Sequence, residues 1–260
     1  MRTTLIEELA VFAKNILHCV YVFAGFSLFF FSCGVTTVTV SGRTYRVPFP
    51  MERSFSVEAF SRMRDDLLPP GVQLVVTDPM NAFVSQILIS LLLGAFVTFP
   101  FFLYRFVLYL RPALFPRERA MLLWSIVPSA ALFFSGAAFA YLFLVPATFR
   151  VLYPYAVILG VVPFFSVNEF IYYVFSMAAV TGVMFLLPLF MAAASVAGIV
   201  PAAFWAEKWR YALVGCLVLS AVITPDGTGV TMALLFIPLA ALYALGYFFA
   251  SRLSKRYAVQ

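Results

Sequence analysis

Charge is what this sequence has least of. Only 11% of its 260 residues are Asp, Glu, Lys or Arg, against about a quarter in soluble domains, while 64% are hydrophobic. That deficit excludes a water-soluble globular domain. Histidine occurs once and cysteine three times. Cys19, Cys33 and Cys216 are odd in number, sit in or beside apolar runs and form no Cys-x-x-Cys pair, so neither a disulfide framework nor a metal site is expected. A single His18 and the lack of a Gly-x-Ser-x-Gly run leave a serine hydrolase without its parts. The absence of a Gly-x-x-x-x-Gly-Lys-Ser/Thr loop excludes nucleotide hydrolysis by that route. The expectation is a protein that is not an enzyme and takes no cofactor or metal. Its net charge of +6 is scattered in short groups between apolar windows, which excludes a nucleic-acid stripe and suits membrane topology.

What is present is a series of long charge-free windows: between Lys14 and Arg43, Asp78 and Arg105, Arg119 and Arg150, Glu169 and Glu207, Arg210 and Asp226, and Asp226 and Arg252. About 20 residues of helix cross a bilayer core. The chain is therefore read as an all-α integral membrane protein, a single domain with six transmembrane helices near residues 15–35, 80–107, 119–147, 169–194, 210–224 and 230–250. The fifth is short. Glu7 and Glu8 interrupt the basic amino-terminal region and no small-x-small cleavage site follows, so the first window is a transmembrane helix and not a cleaved signal. Pro154, Gly160 and Pro163 cut Val151 to Asn168 into pieces too short to cross, which predicts a re-entrant or interfacial loop there.

Orientation follows from the charges flanking the windows. Placing both termini in the cytoplasm gives the inner segments eleven basic and four acidic residues, and the outer ones six basic and seven acidic. The positive-inside rule selects that arrangement. The outer loop, 36–78, has structure of its own. Thr36 to Val40 and Thr44 to Val47 alternate as a hairpin around Ser41-Gly42. Ser56 is expected to cap a helix through Leu68, with Val57, Phe60, Met63 and Leu67 on one face, ended by Pro69-Pro70-Gly71.

The stretch Tyr109 to Arg119 concentrates three arginines, two prolines and one carboxylate between two spans. Its prolines disfavour helix and make a tight turn. Glu118 then opens the next helix, where free N–H groups and the dipole favour an anion. A dipole-stabilised helix start accounts for Glu118 without any ligand, and a first-turn acid accounts equally for Glu7 and Glu8. Tyr141 reads as packing or an interfacial anchor, Asp226 beside Pro225 as an outer turn, and His18 as an interfacial histidine.

Taken in order, Pro112-Ala113-Leu114 with Arg117-Glu118-Arg119, then Phe133, Gly136, Phe139, Tyr141 and Pro146, then Trp209-Arg210-Tyr211, Thr224-Pro225-Asp226 and Ile237-Pro238 resemble TatC, the multispanning subunit of the twin-arginine protein translocase. The resemblance covers nearly the whole chain. It implies a glove-like bundle with both termini inside and short fifth and sixth helices, as a multi-pass protein of the cell's inner membrane. It also implies a receptor for twin-arginine signal peptides of folded cargo that recruits TatA- and TatB-type single-span subunits and uses the proton-motive force. Lipid and further copies of the chain complete its expected partners.

Carried over by position, Glu118 and Glu8 bind the paired arginines, and Tyr109, Pro112 and Leu114 shape the groove, flanked by Arg117 and Arg119. Tyr141, Pro146, Trp209, Tyr211, Pro225 and Asp226 are structural or partner-contact candidates. Three departures stand out. Leu5-Ile6-Glu7-Glu8-Leu9-Ala10 lacks the family's His and Arg, so either Glu8 or Glu7 supplies the second acid. Leu186 stands before Pro188 where many members have a glutamate in that stretch, and Gly227 to Thr231 replaces a Ser-Gln-like pair. The rival reading, a small-solute transporter or channel, needs mid-span polar residues or an inverted repeat. The sequence has neither.

Overall fold

Without water to accept hydrogen bonds, a spanning backbone must satisfy itself, and helices do so within one segment. The computed structural model describes residues 5–40, 43–50, 54–69, 72–76, 79–110, 116–160, 164–224 and 229–258, with side chains at 13–34, 54–69, 72, 74–76, 80–108, 125–155, 158–160, 165–224 and 229–253. Five of its helical segments are long and apolar enough to cross a membrane: Ala13–Ser32, Met80–Leu108, Ser125–Tyr155, Val167–Val196 and Val230–Leu253. Trp209–Ile223 is a sixth, shorter apolar helix. The chain gathers into two units, 1–110 with 163–175 and 111–162 with 176–260.

The first unit is built on α1 (Leu5–Ser32) and α3 (Pro79–Leu110). They run antiparallel: Phe31 meets Phe83 with ring centres 6.0 Å apart, Ser27 lies against Gly94, and Asn15 is bonded by Arg105. A β-carbon on Gly94 would stand 3.1 Å from the Ser27 nitrogen and 3.2 Å from its Cα, and nearer still to Oγ. Glycine is thus what lets the two backbones approach. Ser27 returns its hydroxyl to the Phe23 carbonyl at 2.8 Å, and it is the only buried side chain between 13 and 32.

Between these helices lie β1 (Cys33–Val40) and β2 (Arg43–Pro50), an antiparallel hairpin closing at Val40↔Arg43, then α2 (Phe55–Leu67) and β3 (Gln73–Val75). The helix starts one residue before the expected cap. Its N-cap is Ser54, which accepts from Gln86 Nε2 on α3 at 2.9 Å and bonds the buried Ser56 hydroxyl at 2.8 Å. That anchoring, rather than local capping, fixes where α2 begins. Its inner face is Ser56, Met63 and Leu67, with Phe60 edge-on to Phe170, while Val57 points outward. β3 pairs in parallel with β4 (Phe164–Ser166), and Asn168 just beyond accepts from Ser85 Oγ at 2.6 Å.

In the second unit α4 (Pro116–Phe139) runs without a break into a five-residue π-turn, Ala140–Leu144, and then α5 (Val145–Ile158). The third helix therefore extends well past the expected end near 147, and the loop expected for Val151 to Asn168 is helical as far as Ile158. One proline removes one ladder bond. An established helix carries on through Pro154, and Gly160, at φ +72°, follows its end. The fourth span also departs from a continuous 169–194: α6 (Val167–Met184), shared between the units, stops at Phe185-Leu186, and α7 (Leu187–Val196) restarts with Pro188 in its first turn, where its missing N–H is harmless. α7 is followed by Gly198 at φ +68°.

Three small residues set the packing of this unit. A β-carbon on Gly136 would stand 2.8 Å from the Thr181 carbonyl and 2.7 Å from the Phe185 ring, and one on Gly182 would meet Phe133 at 2.8 Å. Each helix thus lays a phenylalanine over the other's glycine. Gly246 on α10 (Val230–Ala258) does the same for Met191 and Pro188 of α7. The short α8 (Ala202–Glu207) is tied in by Trp205, which donates from Nε1 to Ser195 Oγ at 2.9 Å while its carbonyl accepts from the Tyr243 hydroxyl at 2.6 Å. α9 (Trp209–Ile223) has 15 residues, about 22 Å of helix. α10 has 29, so of the last two helices only α9 is short. The charge at Arg252 ends the apolar window but not the helix.

Gly94→Leu is expected to destabilise the detergent-solubilised protein by about 1–3 kcal/mol through overpacking, whereas Gly25→Leu, with nothing within 4 Å of its β-carbon, leaves the melting temperature nearly unchanged. Equal melting shifts would refute the close-approach account. Tyr243→Phe is expected to cost about 1–2 kcal/mol by leaving the Trp205 carbonyl short of a donor, a loss that should vanish in thermal melts if that hydroxyl is solvated.

Candidate functional site

The residues of the turn between α3 and α4 can be placed only in part. Arg111, Pro112, Ala113, Leu114 and Phe115 lie outside the described residues, as do Pro225 and Asp226. Glu7, Glu8, Tyr109, Arg117, Glu118 and Arg119 are described in backbone alone. Their positions along the helices are nonetheless informative. Pro116 is the first residue of α4 and Glu118 the third, so the acid falls among the N–H groups that have no partner within the helix. Proline at the first position sacrifices no ladder bond. Tyr109 is in the last turn of α3.

Position 8 is fixed by the pairing of α1 with α3. Between the Ser27–Gly94 approach and the Asn15–Arg105 bond, α1 covers twelve residues and α3 eleven, an advance of nearly one residue for one. Position 8 lies seven residues nearer the start of α1 than Asn15. At about 100° per residue, position 8 lies within about 20° of the Asn15 direction and position 7 about 80° away. By helical periodicity, position 8 continues the Asn15 stripe of α1 and position 7 does not.

Around that stripe the described side chains are basic or neutral. Arg105 donates from Nη1 to Asn15 Oδ1 at 3.3 Å and stands 5.4 Å from the centre of the Phe101 ring. His18 Nδ1 bonds the Lys14 carbonyl at 2.6 Å, a local contact within α1. Counting Arg105 only as a topology marker missed it as a member of the seam, because nothing in the sequence pairs it with Asn15, 90 residues away. Chemically, a first-turn carboxylate at 118 offers a planar acceptor matched to a guanidinium.

The remaining candidates separate from this turn. Tyr141 is half-buried in the π-turn, and Pro146 is the second residue of α5. The two are linked: Pro146 has no N–H for the Leu142 carbonyl, and Val145 N–H reaches back to Ala140 instead, five residues away. Trp209 and Tyr211 open α9 and are exposed, each beside a stacked cation, Arg210 over Trp209 at 5.6 Å and Lys208 over Tyr211 at 5.8 Å. Among the described residues no group of three or more His, Cys, Asp or Glu is placed to hold a metal.

Comparison with known proteins bears on the chain as a whole. Residues 5–238 match the sequence model of the family described as Sec-independent protein translocase protein (TatC). The Sec-independent protein translocase protein TatC of Cenarchaeum symbiosum (strain A) is 36% identical over 212 residues, covering 82% of this chain and 80% of the relative. The protein of the same description from Aquifex aeolicus (strain VF5) is 28% identical over 205 residues, 78% of this chain and 85% of the other. A crystal structure of the twin arginine translocase receptor TatC superposes with a TM-score of 0.72 at 25% identity, over 95% of this chain and all of that one. An apolar multi-helix chain matched along nearly its full length by sequence and by fold belongs to the TatC family, the multi-pass membrane components of the Sec-independent protein translocase, which transport proteins and are not enzymes.

Proposed function

We propose that this chain is the signal-peptide receptor and scaffold of its twin-arginine translocase. Glu118 and Glu8 bind the two consecutive arginines of the signal, and Tyr109, Pro112 and Leu114 line the groove that takes the residues around them, with Arg117 and Arg119 flanking. Both termini lie in the cytoplasm, the protein resides in the inner membrane, and TatA- and TatB-type single-span subunits assemble on it for export driven by the proton-motive force.

The observation that carries this reading is the α1–α3 pairing through Ser27–Gly94 and Asn15–Arg105, whose stripe on α1 continues by helical periodicity to position 8. The likeness to a solved receptor of the same translocase supports it. The chemistry does so as well. A guanidinium meets a carboxylate with two parallel N–H bonds and lysine with one, and such pairs strengthen where bulk water is thinned at the edge of the bilayer. Two acids at a membrane surface thus select arginine over lysine.

Glu118→Gln is expected to abolish export of a twin-arginine reporter while the protein still inserts in the membrane, and to weaken peptide binding roughly 30-fold or more, the equivalent of about 2 kcal/mol. Export at the normal rate removes Glu118 from the site. Replacing both signal arginines by lysine should weaken binding to the purified protein, and equal affinity for the two peptides would defeat the carboxylate-fork account.

A further inference from the structure

The end of the seam between α1 and α3 gathers cations that the receptor reading leaves unused. Arg105 stands five residues before the end of α3, inside a segment apolar enough to span the membrane. An arginine has five N–H donors. Here one, on Nη1, reaches Asn15 Oδ1 at 3.3 Å, and the guanidinium lies over the Phe101 ring at 5.4 Å. Nε is buried without an acceptor, and among the described residues the guanidinium forms no ion pair. Asn15 thus fixes the head without neutralising it. Arginine does not lose its proton, and charges at membrane depth are found paired.

A second cation stands beside it. Lys14 adjoins Asn15 in the chain and is exposed, and His18, one turn on, bonds the Lys14 carbonyl through Nδ1 at 2.6 Å. Both lie to one side of Asn15, about 100° and 60° round α1. In an antiparallel pair, equal rotations from facing residues fall on the same side of the seam. Phe101 is about 40° from Arg105 in that same sense, so the ring draws the guanidinium toward Lys14 and His18. The described carboxylates of this unit belong to the other end of α3. The head of α2 is held at Gln86, and Asn168, next to Glu169, at Ser85, about 28 Å of helix from Arg105. Glu58 and Asp65 of α2 are already paired, with Arg62 and Arg64.

The same side of the seam is apolar and uncovered. Lys14, Leu17 and Tyr21 recur at i, i+3 and i+7, one stripe of α1. It begins with a cation and continues with Leu17 50% and Tyr21 68% exposed, flanked from α3 by the exposed Tyr104. Cations at the edge of a spanning segment, followed by bare apolar side chains, match an amphiphile with an anionic head. Basic pockets between spans hold anionic lipid headgroups in this way. We propose that this corner binds the phosphate of an anionic phospholipid in the leaflet at the start of α1. Arg105 donates its remaining Nη N–H groups, Lys14 supplies a second charge, and Asn15 keeps the guanidinium in place. A zwitterionic lipid brings a cation of its own and gains less. The site does not depend on the receptor reading.

The test uses the full chain purified in neutral detergent and titrated with phosphatidylglycerol or phosphatidylcholine while its melting temperature is followed. Phosphatidylglycerol should raise the melting temperature of wild type progressively, and phosphatidylcholine much less. Arg105→Gln is expected to weaken the apparent affinity for phosphatidylglycerol about tenfold, and Lys14→Gln about fivefold. Arg105→Lys, which keeps the charge and loses the planar fork, should fall between wild type and Arg105→Gln. Arg252→Gln, which removes an exposed cation from α10, should leave the affinity nearly unchanged. Should Arg105→Gln fail to fold, the exposed Lys14 still decides the matter. Equal protection by the two lipids, or a loss as large for Arg252→Gln as for Lys14→Gln, would overturn the site. Glycerol phosphate at the same concentration should not protect; protection equal to that of the lipid would make the ligand a soluble anion and overturn the lipid assignment.

Discussion

The structure depends on one constraint: a backbone that leaves water must find its hydrogen bonds within itself. That constraint makes the spans helices, and it also decides how interruptions are tolerated. Pro146 removes a donor, and the chain answers with a wider turn in which Val145 reaches Ala140. Pro188 removes another where the fourth span has already stopped and restarted, so its loss falls in a first turn. Pro100, Pro128, Pro154 and Pro238 sit inside continuous helices. None of them converts a helix into a loop, because each breaks one bond in a segment that keeps the rest.

Association between the helices obeys a second rule. Lipid is as apolar as leucine, so burying leucine offers little, and helices join where backbones come close and dispersion contacts are dense. The Gly94–Ser27 approach, the reciprocal placement of Phe133 and Phe185 over Gly182 and Gly136, and the seat of Met191 on Gly246 all have this form. Polar side chains act at the ends of the packed segments. Ser54 with Gln86, Ser85 with Asn168, and Trp205 with Ser195 and Tyr243 tie short helices and loops to long ones. Several residues by which the chain resembles its family, among them Phe133, Gly136 and Pro146, thereby have a structural purpose that is independent of any ligand.

Charge is scarce enough that each instance within a span asks for a reason. Arg105 holds α1 to α3 through Asn15 with a bond of only 3.3 Å to a neutral oxygen, a weak return for placing a permanent cation in the seam.

Composition and spacing determined the class of this protein and where its helices lie, since a charge-free run of membrane length has few alternatives to helix. They also carried the hairpin around 41–42, whose register follows from the length of the turn, and the order of residues that marks the family. What they left open needed contacts between distant parts of the chain. Ser54 rather than Ser56 begins α2 because Gln86 holds it; Val151 to Ile158 is helix because it extends one already formed upstream; α10 outlasts its apolar window because the helix ladder is indifferent to where charge resumes. The same holds at the candidate site. Glu118 and the alternative of Glu7 or Glu8 were proposed from the sequence, but giving Arg105 a place beside Asn15 required the pairing of two helices that meet only when the chain is folded, for helical direction becomes meaningful only once a neighbour defines which side is inward.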